Sequence, residues 1–130
     1  GSREENTQAA ISVMDNPHVK ILGHPDDGRF PLDYLAVVQA AKEKKVLLEV
    51  NNSSMNQNSY RMGARENYRE MLGYCVKYQA PVVVDSDAHF RTAVGNHENA
   101  EALFREIDFP EELIMNGKPE EFLKFTGLRN

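Results

Sequence analysis

Residues 81–89, Pro81-Val82-Val83-Val84-Asp85-Ser86-Asp87-Ala88-His89, decide how this chain is read. Three β-branched residues in succession, Val82 to Val84, predict a short strand buried on both faces, because branched side chains suit a pleated, enclosed surface. The strand stops abruptly in two carboxylates and an imidazole, which places polar ligands at one rim of a sheet. In α/β folds that rim, at the carboxyl ends of parallel strands, is where chemistry is done. Asp87 and His89 supply the oxygen and nitrogen donors that Zn²⁺, Mn²⁺ or Fe²⁺ accept. They are one residue apart, and in an extended segment positions i and i+2 point the same way, so both can reach one cation. The plainer alternative makes Asp87 or Ser86 a turn cap and His89 a surface residue.

Around this stretch the strands and helices alternate. Residues Arg3 to Met14 read as a helix with Ala9, Ala10, Ile11 and Val13 as its apolar positions, stopped by Asp15-Asn16-Pro17. Val19 to Leu22 reads as a strand closed by Gly23-His24-Pro25, and Asp26-Asp27-Gly28 as a turn. Pro31 is expected to open the next helix, with Leu32, Leu35, Ala36 and Val38 facing inward and Lys42 to Lys45 at its carboxyl end. Val46 to Val50 is the second strand, running into Asn51-Asn52-Ser53-Ser54 and a polar loop as far as Gly63.

Ala64 to Tyr78 has the clearest helical pattern, with Tyr68, Met71, Leu72, Cys75 and Val76 at i, i+3, i+4, i+7 and i+8. After the Asp87–His89 loop a helix presents Ala100, Leu103, Phe104 and Ile107. Glu112 to Met115 reads as a last extended piece, and Pro119 to Phe125 as a closing helix. Strands alternating with helices of this length predict βαβ units and a parallel sheet, whose right-handed crossovers put every carboxyl end on one side. His24, Asn51-Asn52-Ser53 and Asp87–His89 each follow a strand and so gather at that rim.

Composition narrows the function. A chain of 130 residues, 41% hydrophobic and 27% charged, fits one globular α/β domain but is small for a complete α/β enzyme. The net charge of -5 argues against a nucleic-acid surface, since phosphate affinity is carried mainly by Lys and Arg. The lone Cys75 rules out an internal disulfide and fits a reducing, cytoplasmic setting. No apolar run reaches membrane-spanning length, so no membrane partner is expected. Gly1-Ser2 reads as a cleavage scar from an expression tag, leaving 3–130 as the domain.

His24 alone is weak, since one histidine after a strand is commonly structural, but its place on the rim makes it a third candidate ligand, with Pro25 fixing the exit of the loop. Asp26 and Asp27 read better as a turn than as ligands. Asn51, Asn52, Ser53 and Ser54 have two readings: a set of neutral donors and acceptors that orients substrate oxygens, or a polar loop satisfying its own backbone. Arg61 and Arg65 flank Gly63 at the head of a helix, a combination that attracts phosphate, although exposed arginines are common. Glu49, inside a buried strand, needs a partner. Cys75, on the apolar stripe, reads as core. His18 and His97 are assigned to structure or solvent, and no serine elbow, Walker loop or dinucleotide fingerprint is present.

Gly23-His24-Pro25, LLEVNNSS at 47–54, the R-x-G-x-R-x-N run from Arg61 to Asn67, and SDAH at 86–89 followed by Val94-Gly95 resemble the PHP (polymerase and histidinol phosphatase) family, and within it the bacterial YcdX-type phosphatases. The resemblance covers the chain after Ser2. It implies the carboxyl-terminal half of a distorted seven-stranded β/α barrel, with His24, Asp87 and His89 as metal ligands and the NNSS loop and Arg65 near the substrate phosphate. Asp85 stands where that family more often has a small residue, and no catalytic role is assigned to it.

The family's amino-terminal H-x-H pair and its further ligands have no counterpart here, since no histidine precedes His18. The resemblance therefore implies a metal-dependent phosphatase of small phosphorylated substrates, using up to three divalent ions in the intact protein, of which this half is inactive by itself. Two other readings stand beside it. One is a non-catalytic assembly module whose open sheet edges and uncovered apolar face drive self-association into an oligomer. The other is a PHP exonuclease or polymerase-associated domain, which the acidic charge disfavours.

Overall fold

The computed structural model describes residues 2–23, 25, 31–55, 63–85 and 98–127. Helix α1 (Arg3–Met14) leads to strand β1 (Ile21–Leu22), followed by helix α2 (Tyr34–Lys44) and strand β2 (Leu47–Asn51). Helix α3 (Ala64–Tyr78), strand β3 (Val82–Asp85), helix α4 (Glu98–Ile107) and helix α5 (Pro119–Thr126) are the further elements among the described residues, with short 3₁₀ turns at Asn52–Met55 and Glu111–Leu113. The sheet order is β1-β2-β3, and both pairings are parallel: Leu22 stands opposite Leu48, and Asn51 opposite Asp85. The expected α/β alternation is therefore present, and all three strand ends lie on one rim.

Alternation along the strands separates two faces. Leu48, Val50, Val82 and Val84 join one core with Val37 and Val38 of α2, Met71, Leu72 and Cys75 of α3, and Ala100, Leu103 and Phe104 of α4. The α3 stripe forms as its period predicts, because Tyr68, Met71, Leu72 and Cys75 are all buried. The opposite face carries Leu47, Glu49 and Asn51, all buried, together with the half-exposed Ile21 of β1. Helices α2 and α3 end alike. Lys45 and Gln79 adopt left-handed backbone (φ 61° and 55°), and the next amide, of Val46 or Ala80, returns to the carbonyl of Ala41 or Cys75, both at 2.9 Å.

Several expectations need correction. Pro31 does not open α2: Asp33 is the N-cap, its carboxylate accepting from the Ala36 amide at 3.2 Å, because a capping acid outcompetes a proline two residues earlier. The buried face of α2 is accordingly Tyr34, Val37, Val38, Ala40 and Ala41, while Leu35 and Ala36 are only partly covered and Leu32 precedes the helix. In α1 the buried residues are Thr7 and Met14, whereas Ala9 and Val13 are exposed. That helix is fastened by Met14 and Ile11 packing on the core and by polar contacts: the Thr7 hydroxyl accepts from the Asp33 amide (2.8 Å), and Asn6 donates to the Pro31 carbonyl (3.2 Å). Ser2 forms a reciprocal capping box with Glu5.

The outer edge of β3 is not open either. Ile114 bridges Val82 in parallel, the Met115 amide donates to the Val82 carbonyl (2.9 Å), and the Asn116 side chain both accepts from the Val84 amide (2.7 Å) and donates to its carbonyl (2.9 Å). The expected extended piece is thus a 3₁₀ turn followed by a one-residue bridge. On β2 the residues opposite the shared core, Leu47, Glu49 and Asn51, are buried as well.

Candidate functional site at the carboxyl rim

The three candidate metal ligands, His24, Asp87 and His89, lie outside the described residues, as do Arg61 and the Asp26-Asp27-Gly28 turn. The structure does describe the chain on which they are mounted. Gly23 follows β1 directly and Asp85 ends β3, so both attachment points flank the end of β2 on one rim. Among the described residues, no group of three or more His, Cys, Asp or Glu side chains is placed to hold a metal ion.

Three described rim residues, Pro25, Asn51 and Asn52, are tied to helices by polar struts. Pro25 is buried, and its carbonyl accepts from the Tyr34 hydroxyl at the start of α2 (2.5 Å). The Asn51 amide donates to the Tyr68 hydroxyl of α3 (2.7 Å, buried). The Asn52 side-chain carbonyl accepts from the Ala100 amide in the first turn of α4 (2.9 Å, buried), and the Asn99 side chain donates to the Asn52 main-chain carbonyl (3.2 Å). A buried phenol or amide needs such a partner, and once paired it fixes the backbone it touches. Of the sequence-predicted substrate residues, Asn51 and Asn52 are thus brought together with α3 and α4, and Ser53 lies in the 3₁₀ turn that follows.

Arg65 stands in the first turn of α3, where its guanidinium donates to Glu106 of α4 at 3.0 Å. Arg69 bonds the other oxygen of the same carboxylate and also pairs with Glu66 at 2.9 Å. The hydrogen bonds from Arg65 and then Arg69 hold the Glu106 carboxyl below the usual carboxylate range. Glu49 is buried, with one carboxylate oxygen 3.7 Å from where a Cβ on Gly23 would stand, immediately before His24 in the chain. Burial pushes the Cys75 thiol up to about 12, which makes it a packing group and not a thiolate nucleophile, as its place on the stripe implied. His18 is exposed, as expected; His97 lies outside the described residues.

Sequence reasoning missed Tyr34, Tyr68, Asn99 and Asn116. Tyr68 was visible as an apolar position, but nothing in the period reveals where its hydroxyl points. No helix among the described residues is long and apolar enough to cross a membrane.

An α/β chain whose parallel strands end together, with polar loops fastened at that end, is the class of protein these features define. The chain is 42% identical over 125 residues to a protein of Clostridium botulinum named probable phosphatase, covering 96% of this chain and 50% of that protein. Against a protein of the same name from Clostridium acetobutylicum it is 38% identical over 130 residues, covering 98% and 52% respectively. A third, from Acetivibrio thermocellus, is 40% identical over 119 residues, covering 92% and 48%. The chain spans about half the length of the curated relatives it matches. No protein-family profile matches it.

Proposed function

We propose that this chain is the carboxyl-terminal half of a metal-dependent phosphatase of the PHP type, one half of a β/α barrel, acting on a small phosphorylated substrate. The observation that carries the reading is the parallel register, which sets the ends of β1, β2 and β3 on one rim, combined with similarity to proteins named probable phosphatase. The donor set attached to that rim, the imidazoles of His24 and His89 and the carboxylate of Asp87, suits Zn²⁺, Mn²⁺ or Fe²⁺. A divalent ion held there supplies Lewis-acid neutralisation of phosphoryl charge and acidifies water.

The chain's own part is to present those donors and to place polar groups near the phosphate. Asn51, Asn52 and Ser53 are assigned to the substrate side of the rim, with Arg61 and Arg65 as its cations. Arg65 must leave Glu106, or share it, to meet a phosphate. With the remaining ligands of the barrel absent from this half, the chain alone is inactive.

Equilibrium dialysis against Mn²⁺ and Zn²⁺ tests the metal. The intact chain binds, and His89→Ala and Asp87→Asn lose binding; no binding by the intact chain would sink the reading. A phosphatase assay with p-nitrophenyl phosphate tests the inactivity. Turnover that His89→Ala removes would show a self-sufficient site. For the parent, an H-x-H pair encoded upstream of Arg3 is the expected companion motif.

A second reading, self-association, is favoured by one region. Val13 of α1 and Ile21 of β1 are 48% and 41% exposed, and other residues of α1 and β1, Asn6, Ala9, Ala10 and Leu22, line a hollow of about 280 Å³ with Gly23, Pro25 and Leu32. A stable monomer at high concentration in light scattering would remove this reading.

A further inference from the structure

We infer that Arg65 and Arg69 form a binding site for a phosphoryl group, with the Glu106 carboxylate as the anion now seated in it, an assignment that rests on the phosphate reading of Arg65 above. The two arginines stand four residues apart on α3, so their side chains leave the same face of the helix. Tyr68 and Leu72 of that helix are buried in one core with Leu103 and Phe104 of α4, which fixes the two helices against each other. At their exposed seam the Arg65 guanidinium donates to one oxygen of Glu106 at 3.0 Å, and Arg69 donates to the other.

Guanidiniums that close on both oxygens of one anion also suit phosphate, since a phosphoryl group presents a similar pair of oxygens with more charge. The seated carboxylate shows that both donors reach a single two-oxygen anion from packed helices. Its hold is weak, because all three side chains are well exposed and exposed ion pairs contribute little. Glu106 can therefore swing into water and acts as a displaceable competitor. Glu66 is a second carboxylate at the site, bonded to Arg69 at 2.9 Å. Two cations thus face two anions, and a phosphate meets net positive charge only when Glu106 withdraws. In a chain of net charge -5, general attraction does not draw phosphate to this seam.

The test titrates the 130-residue chain with inorganic phosphate in EDTA at fixed ionic strength, so that no metal takes part and screening stays constant. Side-chain NMR signals of the arginines report binding. Glu106→Gln keeps the shape and removes the charge, and should bind phosphate about threefold to tenfold more tightly than the parent, the scale of the exposed pairs it gives up. Arg65→Gln or Arg69→Gln added to Glu106→Gln should cancel that gain. Glu66→Gln makes the same charge change on the same patch but leaves Glu106 seated, and should alter affinity by less than about twofold. A parallel titration with p-nitrophenyl phosphate separates two sources of the group. A gain for both probes supports the site as one for the phosphoryl end of an ester, and a gain for inorganic phosphate alone supports it as one for the free ion.

No gain in Glu106→Gln would overturn the site. An equal gain in Glu66→Gln would overturn it too, because the effect would then be one of general charge and not of a displaced carboxylate. A gain that survives the loss of either arginine would put the phosphate elsewhere, with the same consequence. Failure on any of these counts removes Arg65 from the phosphate and leaves the metal donors untouched, whereas a chain that binds no Mn²⁺ or Zn²⁺ fails the metal reading without affecting this titration. If Glu106→Gln loses its far-UV circular dichroism, Glu106→Ala takes its place under the same criteria.

Discussion

The two sides of the sheet solve the edge problem differently. On the β3 side, the Asn116 amide occupies both hydrogen-bonding groups of Val84, and Ile114 and Met115 occupy the strand just before it. On the β1 side the strand is two residues long, Ile21 is half-exposed, and Thr7 and Asn6 bond α1 to the lead-in of α2. Exposed strand edges are templates for pairing with further chain, and a mimic of strand bonding is one way to blunt them. Among the described residues, the edge is closed by strand-like bonding on the β3 side. That side carries the best helical stripe and the link from β2 to α4; the other carries the attachment of His24.

The largest expected difference between the sides lies in packing. Leu48 of β2 is fully buried in the shared core, so Leu48→Ala should cost about 2–5 kcal/mol, whereas Ile21→Ala should stay within about 1 kcal/mol. Urea denaturation of both variants checks this, and comparable losses would mean that β1 is as well enclosed as β2. The next effect belongs to the edge mimic. Asn116→Ala leaves the Val84 amide and carbonyl without their partners, and should destabilise by about 1–3 kcal/mol. A loss near zero would show that water replaces the side chain there, and the contrast between the two edges would narrow accordingly.

The β3 side is also where the sequence was most legible. The α3 boundaries and its buried stripe follow from a 3.6-residue period, and Val82 to Val84 form the strand their branching predicts. In α1 the same logic held only in part: Ile11 packs against the core, but Ala9 and Val13 are apolar and exposed, and hydrogen bonds that no periodicity encodes help to place the helix. The start of α2 was misplaced for a local reason, two competing start signals within three residues, of which Asp33 prevailed.

At the rim, polar residues after each strand were readable as a group, and the parallel register puts the three strand ends on a common side. The struts that hold them were not readable. Tyr34 to Pro25, Tyr68 to Asn51 and Asn52 to Ala100 are single contacts between residues far apart in the chain, or nine apart in the first case. Asn116 is an equally silent residue: one amide in a polar tail, whose role exists only once β3 lies beside it.

A smaller effect on stability, but a qualitative one on assembly, is expected at β1. Ile21→Lys puts a charge on the exposed strand and should leave the urea midpoint nearly unchanged, since exposed substitutions away from special features seldom exceed about 0.5 kcal/mol. Charged residues on an edge discourage strand pairing. If the chain self-associates through β1, sedimentation velocity should show Ile21→Lys as a monomer under conditions where the parent is larger. An oligomer untouched by this change, yet broken by Asn116→Lys, would reverse the assignment of the two sides.

The smallest effect expected is at Glu106, which ties α3 to α4 through Arg65 and Arg69. Both guanidiniums lower its carboxyl in the folded chain, hydrogen bonds from Arg65 being the foremost cause. A carboxyl whose folded pKa lies below its unfolded value contributes stability that is present above the ordinary carboxylate range and is lost as pH falls through the folded value. Glu106→Gln removes that contribution at every pH. The variant should therefore be slightly less stable than the parent at neutral pH, and the two should converge on acidification below about pH 4, the ordinary range for such a group. The difference is small because all three side chains are well exposed and salt screens their attraction, so raising the ionic strength should shrink it further. Denaturation midpoints across pH, at low and high salt, decide the matter. A parent-to-variant gap that stayed constant into acid would mean the side chain acts by packing, and that α3 and α4 are joined by their apolar faces and the Asn52 link without aid from charge.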